Sequence, residues 1–339
     1  MAAVSIVTPQ FNHSECLLRL FGSVSKQTFS DFEWVIVDDC STDNSRQVLD
    51  ELVAIDSRIR LIQNEVNKGP LTSALTGLEA CVGEYVYFVA ADDLILPEYI
   101  ETMIRPFIDH PEVQMTTSIP MWTDEDAQRI KIVESIFWGN ESRFFSPKDF
   151  SASLSGGFIA GHATVYRNTP QFRELYRYLV SIDVAWYVDW LLNLHLAFKS
   201  GVFFVNEFNA IMVKSDEAFS NKGKKDFEAQ IQVFRNLLDY LLAPEQEDSL
   251  QYWIESSAMS HFGMDEALLA AVYKEKKYWS PVVQLLLAEP LFLRSKKIIE
   301  SVKEKIARTQ EKFLDNPSQA TMLKIDLVAS AFGRNNPFK

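Results

Sequence analysis

The sequence predicts an α/β protein: a mostly parallel sheet with helices on both faces, followed by an all-helical C-terminal region. Over the first hundred residues or so, short β-branched or aromatic runs alternate with amphipathic stretches of helical length, the order expected of βαβ units. The runs Val4-Ser5-Ile6-Val7, Trp34-Val35-Ile36-Val37 and Tyr85-Val86-Tyr87-Phe88-Val89 are nearly continuous in apolar character, as strands covered on both faces must be. From Lys222 onward strand signals vanish, and Phe227, Ile231, Phe234, Leu237, Leu238 and Leu241 recur at helical spacing.

Taken in order, the apolar runs place strands at 4–8, 32–38, 59–63 and 85–89, with amphipathic helices at 14–27, 43–55 and 71–80 between them. Pro97, suited to a first helical turn, opens a helix that runs to about residue 110. Beyond it the pattern becomes mixed: a strand at 115–122, an aromatic-rich excursion at 134–145, and a short strand at 163–166 after the Gly156-Gly157 turn. Helices at 171–181 and 188–200 and strands at 202–205 and 210–214 complete this part. A boundary is expected near Ser220, where Asn221-Lys222-Gly223-Lys224-Lys225 reads as a polar hinge between residues 1–220 and a helical region, 221–339.

Composition narrows the function. A chain of 339 residues, 47% hydrophobic and 23% charged, has enough material for a large core. Its formal charge of -13 argues against nucleic acid as a partner, since phosphate binding needs a basic footprint, but a nucleotide held through a metal remains compatible. The apolar runs fall short of the roughly 20 residues that cross a bilayer. No basic leader precedes the first strand, so the expected compartment is the cytoplasm. Cys16, Cys40 and Cys81 lack the spacing of a zinc site or a disulfide framework.

In open parallel sheets ligands bind outside the carboxyl ends of the strands. The residues there are Thr8-Pro9-Gln10-Phe11-Asn12, Asp38 to Asp43, Asn64 to Gly69, and Ala90-Ala91-Asp92-Asp93. Two adjacent carboxylates at the end of a buried strand repel one another unless a cation or donor network compensates, which suits Mg or Mn bridging to a diphosphate. Capping of the next helix is the competing reading. Asp39 can accept the imide N–H of a uracil or bond ribose hydroxyls, or cap the helix expected to begin near Asp43.

These segments together resemble the family-two inverting glycosyltransferases of the GT-A fold. Val4 to Asn12 is similar to that family's first strand and turn. Asp38-Asp39-Cys40-Ser41-Thr42-Asp43 is similar to its Asp-Asp-x-Ser-x-Asp, and Asn67-Lys68-Gly69 and Ala91-Asp92-Asp93 follow at family-like spacing. The resemblance covers about residues 4 to 110 well and 155 to 220 loosely. It implies that 1–110 is a nucleotide-binding half and 111–220 an acceptor-binding half, with a nucleotide-sugar donor and a saccharide or polyprenyl-linked acceptor. Thr8, Pro9, Phe11, Asp39, Asn67, Gly69 and Asp92 would line the nucleotide, and Asp93 would ligate a divalent metal, Mn or Mg. Asp38 is read as structural.

An inverting transfer also needs a base for the acceptor hydroxyl. Asp189, at the start of a helix similar to the family's acidic motif, is the candidate, with an N-terminal cap as the alternative and Asp183 as the fallback. Gly161-His162-Ala163 resembles the segment lining the acceptor side, where His162 would bond donor sugar or acceptor. Trp190, with Trp186 and Tyr187, reads as a sugar platform or as core.

The sequence departs from the family pattern at Ala90, at Leu75-Thr76, and at Lys214, which stands where a metal-binding His often occurs, so that either Asp93 and phosphate alone hold the metal or Lys214, on the donor-sugar side, lends charge to the leaving diphosphate. A nucleotidyltransferase would bring a Gly-rich basic loop after the first strand, and a dinucleotide-dependent oxidoreductase a GxGxxG turn; residues 8–13 have neither. A degenerate transferase serving as a scaffold is the non-enzymatic alternative. Residues 294–312 hold seven Lys/Arg against three Glu, so 280–339 is read as a peripheral membrane contact at the inner face or as an oligomerisation or packing helix.

Overall fold

The computed structural model describes residues 3–124, 130–132, 139, 141–154, 159–214, 223, 225–259, 265–280, 283 and 286. The first four expected strands form, as β1 (Val4–Gln10), β2 (Phe32–Asp38), β3 (Ile59–Gln63) and β4 (Tyr85–Phe88). They lie parallel in the order β3-β2-β1-β4. The register sets Gln10 opposite Asp38 and Asp38 opposite Gln63, so these three carboxyl ends are level. β1 runs two residues beyond the expected end at Thr8, carrying Pro9 and Gln10 into the ladder.

Helices α1 (Ser14–Val24), α2 (Ser45–Ile55) and α3 (Pro70–Ala80) link these strands. Gly69 takes φ 83° before α3, a left-handed position that favours glycine, and Pro70 fixes the first helical residue. α3 sits unusually close to β1 because Gly77 has no side chain: a Cβ there would lie 2.5 Å from Val7 Cγ1.

Beyond β4 the sheet becomes mixed. β9 (Thr164–Arg167) runs antiparallel between β4 and β6 (Met115–Asp124), and β10 (Val202–Lys214) runs parallel to β6. The two strands expected at 202–205 and 210–214 are one strand, irregular between Val205 and Ala210. Three short strands complete the sheet: β5 (Leu94–Ile95) and β8 (Arg143–Phe145) on β10, and β7 (Ile130–Ile132) on β6. Most of the expected 134–145 excursion and the Gly156-Gly157 turn lie outside the described residues.

The remaining helices are α4 (Tyr99–Asp109), α5 (Pro147–Leu154), α6 (Pro170–Ser181) and α7 (Val188–Ser200), then α8 (Phe227–Leu241), α9 (Glu247–Glu255) and α10 (Glu266–Val272). Thr169, Asp226 and Asp265 cap α6, α8 and α10, each side chain accepting an N–H three residues on. Both faces of the sheet are buried. Ile6, Trp34 and Tyr87 pack with Leu20, Tyr99 and Phe107 on one side, while Val7, Val35 and Val86 face Leu78, Leu179 and Leu191 on the other.

That second core continues without a break into α8, α9 and α10 through Phe234, Leu237, Trp253 and Leu268. Among the expected hinge residues, 221, 222 and 224 lie outside the described residues, as does 280–339 apart from 280, 283 and 286. The membrane or oligomer contact expected of that segment therefore falls outside them too. No helix among the described residues is long and apolar enough to cross a membrane.

Candidate active site

The turns after β1 and β2 are tied together by side chains. Asn12, at φ 57°, accepts the N–H of Thr42 at 2.7 Å and of Asp43 at 3.3 Å, while its own N–H donates to Ser41 Oγ at 2.9 Å. Buried Gln10 donates to Ser41 Oγ at 3.0 Å and to Asp38, which also accepts Ser41 N–H, so the Asp38 carboxylate braces the two turns. Asp43 accepts from Ser45 and Ser14. Burial works to raise its pKa, but those hydrogen bonds prevail and hold the carboxyl below its ordinary value.

Asp39 organises the next turn. Its Oδ1 accepts Asn64 Nδ2 at 2.8 Å and Lys68 N at 2.9 Å, and its Oδ2 accepts Gly69 N at 2.8 Å. It does not cap α2, which starts at Ser45. One lone pair of Oδ2 is left over for a ligand donor. Asn67 is exposed beside it, accepting Gly69 N–H at 3.2 Å, and Phe11 is exposed at the tip of the first turn with Pro9 half-buried behind it. Thr8 is different: it is fully buried and its hydroxyl accepts Trp34 Nε1 at 2.9 Å, so its side chain serves the core.

Asp92 and Asp93 follow β4 in a turn closed by Asp93 N–H to Ala90 O at 3.1 Å. They cap nothing, because α4 begins at Tyr99 and β5 at Leu94. Asp93 is 6% exposed and its Oδ1 accepts one backbone N–H, from Val213, at 3.1 Å. Burial first, and the neighbouring Asp92 second, push its pKa well above the ordinary carboxylate value against that single hydrogen bond. A deeply buried carboxylate with a second acid beside it and one donor is chemistry that a divalent cation would satisfy. Among the described residues no third His, Cys, Asp or Glu joins the pair to complete a metal cluster. Lys214 directly follows Val213 in β10, opposite Asp124, and its side chain lies outside the described residues.

Across the same end of the sheet, Asp189 stands exposed in the first turn of α7, one Oδ1 accepting Trp190 N–H at 2.8 Å. It is inside the helix and not its cap, which is Tyr187. Its neighbour is the one-turn 3₁₀ segment Gly161–Ala163: a Cβ on Gly161 would lie 2.6 Å from Asp189 Oδ2. In that segment the carbonyl of His162 accepts Tyr87 OH at 2.9 Å. Its imidazole is kept neutral because burial lowers its pKa to about 4, and its Nε2 is buried with no hydrogen-bond partner among the described residues.

Asp183 is exposed in the α6–α7 loop at φ 50°, its carbonyl accepting Asn236 Nδ2 at 2.9 Å. Trp190 is buried, edge-on to Trp253 with centroids 5.7 Å apart and to Tyr187 at 5.8 Å. It belongs to the core, and the sugar-platform reading does not hold for it. Sequence reasoning missed the Gln10, Asn12 and Asn64 side chains, whose polar types at strand ends were the available signal, and Tyr87, for which an apolar strand gave none.

Residues 5–170 match the model of glycosyl transferase family 2. They form a family 2 glycosyltransferase domain. Over 170 residues the chain is 34% identical to the O-antigen biosynthesis protein RfbC of Myxococcus xanthus, a match spanning 49% of this chain and 12% of that protein. The chain therefore accounts for a small part of that relative's length. Staphylococcus aureus TarS 1-349 in complex with UDP-GlcNAc superposes with a TM-score of 0.58 at 19% identity, over 98% of this chain and 90% of TarS 1-349. The mannosyltransferase PcManGT from Pyrobaculum calidifontis, in complex with GDP-Man and Mn2+, gives 0.53 at 15% identity over 97% and 85%. At these identities the likeness is one of fold, and that fold is GT-A.

Proposed function

We propose that the protein transfers a sugar from a UDP-sugar to a hydroxyl of a saccharide or lipid-linked acceptor, with inversion and with a divalent cation, Mn or Mg, bound beside Asp93. The observation that carries the reading is Asp93 itself, a buried carboxyl at the ligand-binding end of the sheet with a second acid beside it and a single hydrogen-bond donor. The Mn2+ bound in PcManGT and the UDP-GlcNAc bound in TarS support the choice of cofactor and donor, and the role of RfbC in O-antigen biosynthesis supports a glycan acceptor. When bound, the cation would neutralise the departing nucleoside diphosphate.

The chain's own residues divide the remaining work. The linked turns at Asn12 and Ser41 and the spare lone pair of Asp39 hold the nucleoside, with Phe11 against the base and Asn67 and Gly69 at the rim. Asp93, with Asp92 beside it, would hold the metal. Asp189 takes the proton of the acceptor hydroxyl as it attacks the anomeric carbon, so inversion follows from a single displacement. His162, neutral and with a free ring nitrogen, accepts a hydroxyl of donor or acceptor.

A panel of UDP-glucose, UDP-N-acetylglucosamine, UDP-galactose and GDP-mannose tests this by Mn-dependent release of nucleoside diphosphate. Release from a UDP-sugar, abolished by Asp93→Ala, is the expected result. Turnover of that variant in the presence of EDTA, or no release from any donor, overturns it; the second outcome favours a scaffold.

A further inference from the structure

Gly161 has no backbone reason to be glycine. It lies outside the left-handed region that glycine alone tolerates well. What excludes a side chain there is Asp189. The three atoms nearest to a Cβ on Gly161 all belong to that residue: Oδ2 at 2.6 Å, Cβ at 2.9 Å and Cγ at 3.2 Å. A rotamer change moves the carboxylate oxygen but leaves Asp189 Cβ where α7 puts it, so any substituent at 161 pushes the 3₁₀ segment and the helix apart.

Neither side of that contact yields easily. The segment is held by Tyr87 OH on the carbonyl of His162 and by Thr117 Oγ1 on the carbonyl of Ala163, at 2.9 Å and 3.3 Å. α7 is held one turn further on, where buried Asn193 accepts Tyr166 OH at 2.6 Å and donates to the carbonyl of Ile159 at 3.2 Å. Tyr87 belongs to β4, the strand that ends in the Asp92-Asp93 turn. The segment 161–163 thus touches on one side the strand that leads into the acidic turn and on the other the exposed Asp189.

We infer that Gly161 is a positioning residue for the general base: its missing side chain fixes how close the Asp189 carboxylate comes to the 161–163 segment, and so where the acceptor hydroxyl is deprotonated. This rests on the reading of Asp189 as base. Positional errors of about 1 Å at a reacting group cost up to 10²-fold in rate.

The test is a double-mutant cycle on the full chain. Gly161→Ala is expected to lower kcat for Mn-dependent UDP release from UDP-N-acetylglucosamine about tenfold or more, with UDP affinity by calorimetry unchanged. In an Asp189→Asn background the same change is expected to cost nothing further. A wild-type kcat in Gly161→Ala, or an equal loss in both backgrounds, overturns the inference. Wild-type turnover by Asp189→Asn overturns instead the base assignment on which it rests. A readout independent of activity is the melting temperature: Gly161→Ala should lower it in the wild-type chain but not in Asp189→Gly, where the opposing side chain is gone. Equal lowering in both would show that Asp189 is not what the glycine accommodates.

Discussion

Asp93 is held in its folded place at an electrostatic cost that the metal-free protein bears. Its pKa is raised, so the protonated carboxyl contributes fully below the unfolded value of 3.8, and that contribution is lost as pH rises through the folded value. Asp93→Asn should therefore raise the melting temperature of the metal-free protein at neutral pH while abolishing the stabilisation that Mn gives the wild type, both read by calorimetry. Cys40 stores a smaller strain. At φ 65° it is a non-glycine residue in the left-handed region, a cost of about 1 kcal/mol that glycine would relieve, less about 0.5 kcal/mol for glycine's greater chain entropy. Cys40→Gly should then raise stability slightly in urea titrations and leave UDP affinity unchanged. The places of Asp39, Asp93 and Asp189 after β2, after β4 and in the first turn of α7 were legible in the sequence because a carboxylate at a strand or helix end is conspicuous against apolar neighbours. The burial of Thr8 was not, and for Trp190 core and platform stayed level, since what decides them is Trp34 Nε1 and Trp253, partners that no local pattern names.

At the level of elements, the proposed nucleotide side of the site is two turns joined by one side chain. Asn12→Ala removes the acceptor for Thr42 and Asp43 N–H and leaves alanine in a left-handed conformation, so the turns after β1 and β2 should separate. The expected result is a several-fold higher KM for the donor with kcat nearly unchanged, because the base and acidic turn are untouched. A second joint links α7 to α8, where Tyr240 OH meets His195 Nδ1 at 2.5 Å. Burial, then the charge of Lys199, lower the His195 pKa to about 4 from 6.5. The unfolded chain takes up the proton first, so stability is full above 6.5 and is lost as pH falls from there towards 4. His162 behaves alike. His195→Asn, keeping an acceptor for Tyr240, should flatten the fall in melting temperature across that window, with the His162 share remaining. β1 to β4 were readable because strands buried on both faces are continuously apolar. β5 was hidden because two residues show no period, and β10 read as two strands because its irregularity between Val205 and Ala210 interrupts the alternation.

For the whole molecule, the composition change near Ser220 was visible in the sequence, but the sharing of one core across it was not. Trp253, fully buried in α9, packs on Trp190 and Phe198 of α7, the helix whose first turn carries Asp189. Trp253→Ala should cost about 3–5 kcal/mol in chemical denaturation and lower kcat more than donor affinity, because what loosens is the support of α7. The sheet carries a further consequence for how the chain assembles. β1 to β4 can pair as soon as residue 88 is made, yet the outer edge of β4 is covered by β9, which begins only at Thr164. Until then an apolar parallel sheet presents an open row of N–H and C=O groups, a template for any other strand. The first four strands, complete with the turns that follow them by residue 93, are thus the part of the chain most prone to pair with a neighbour during synthesis, and a fragment ending near residue 110 should self-associate where the full chain does not.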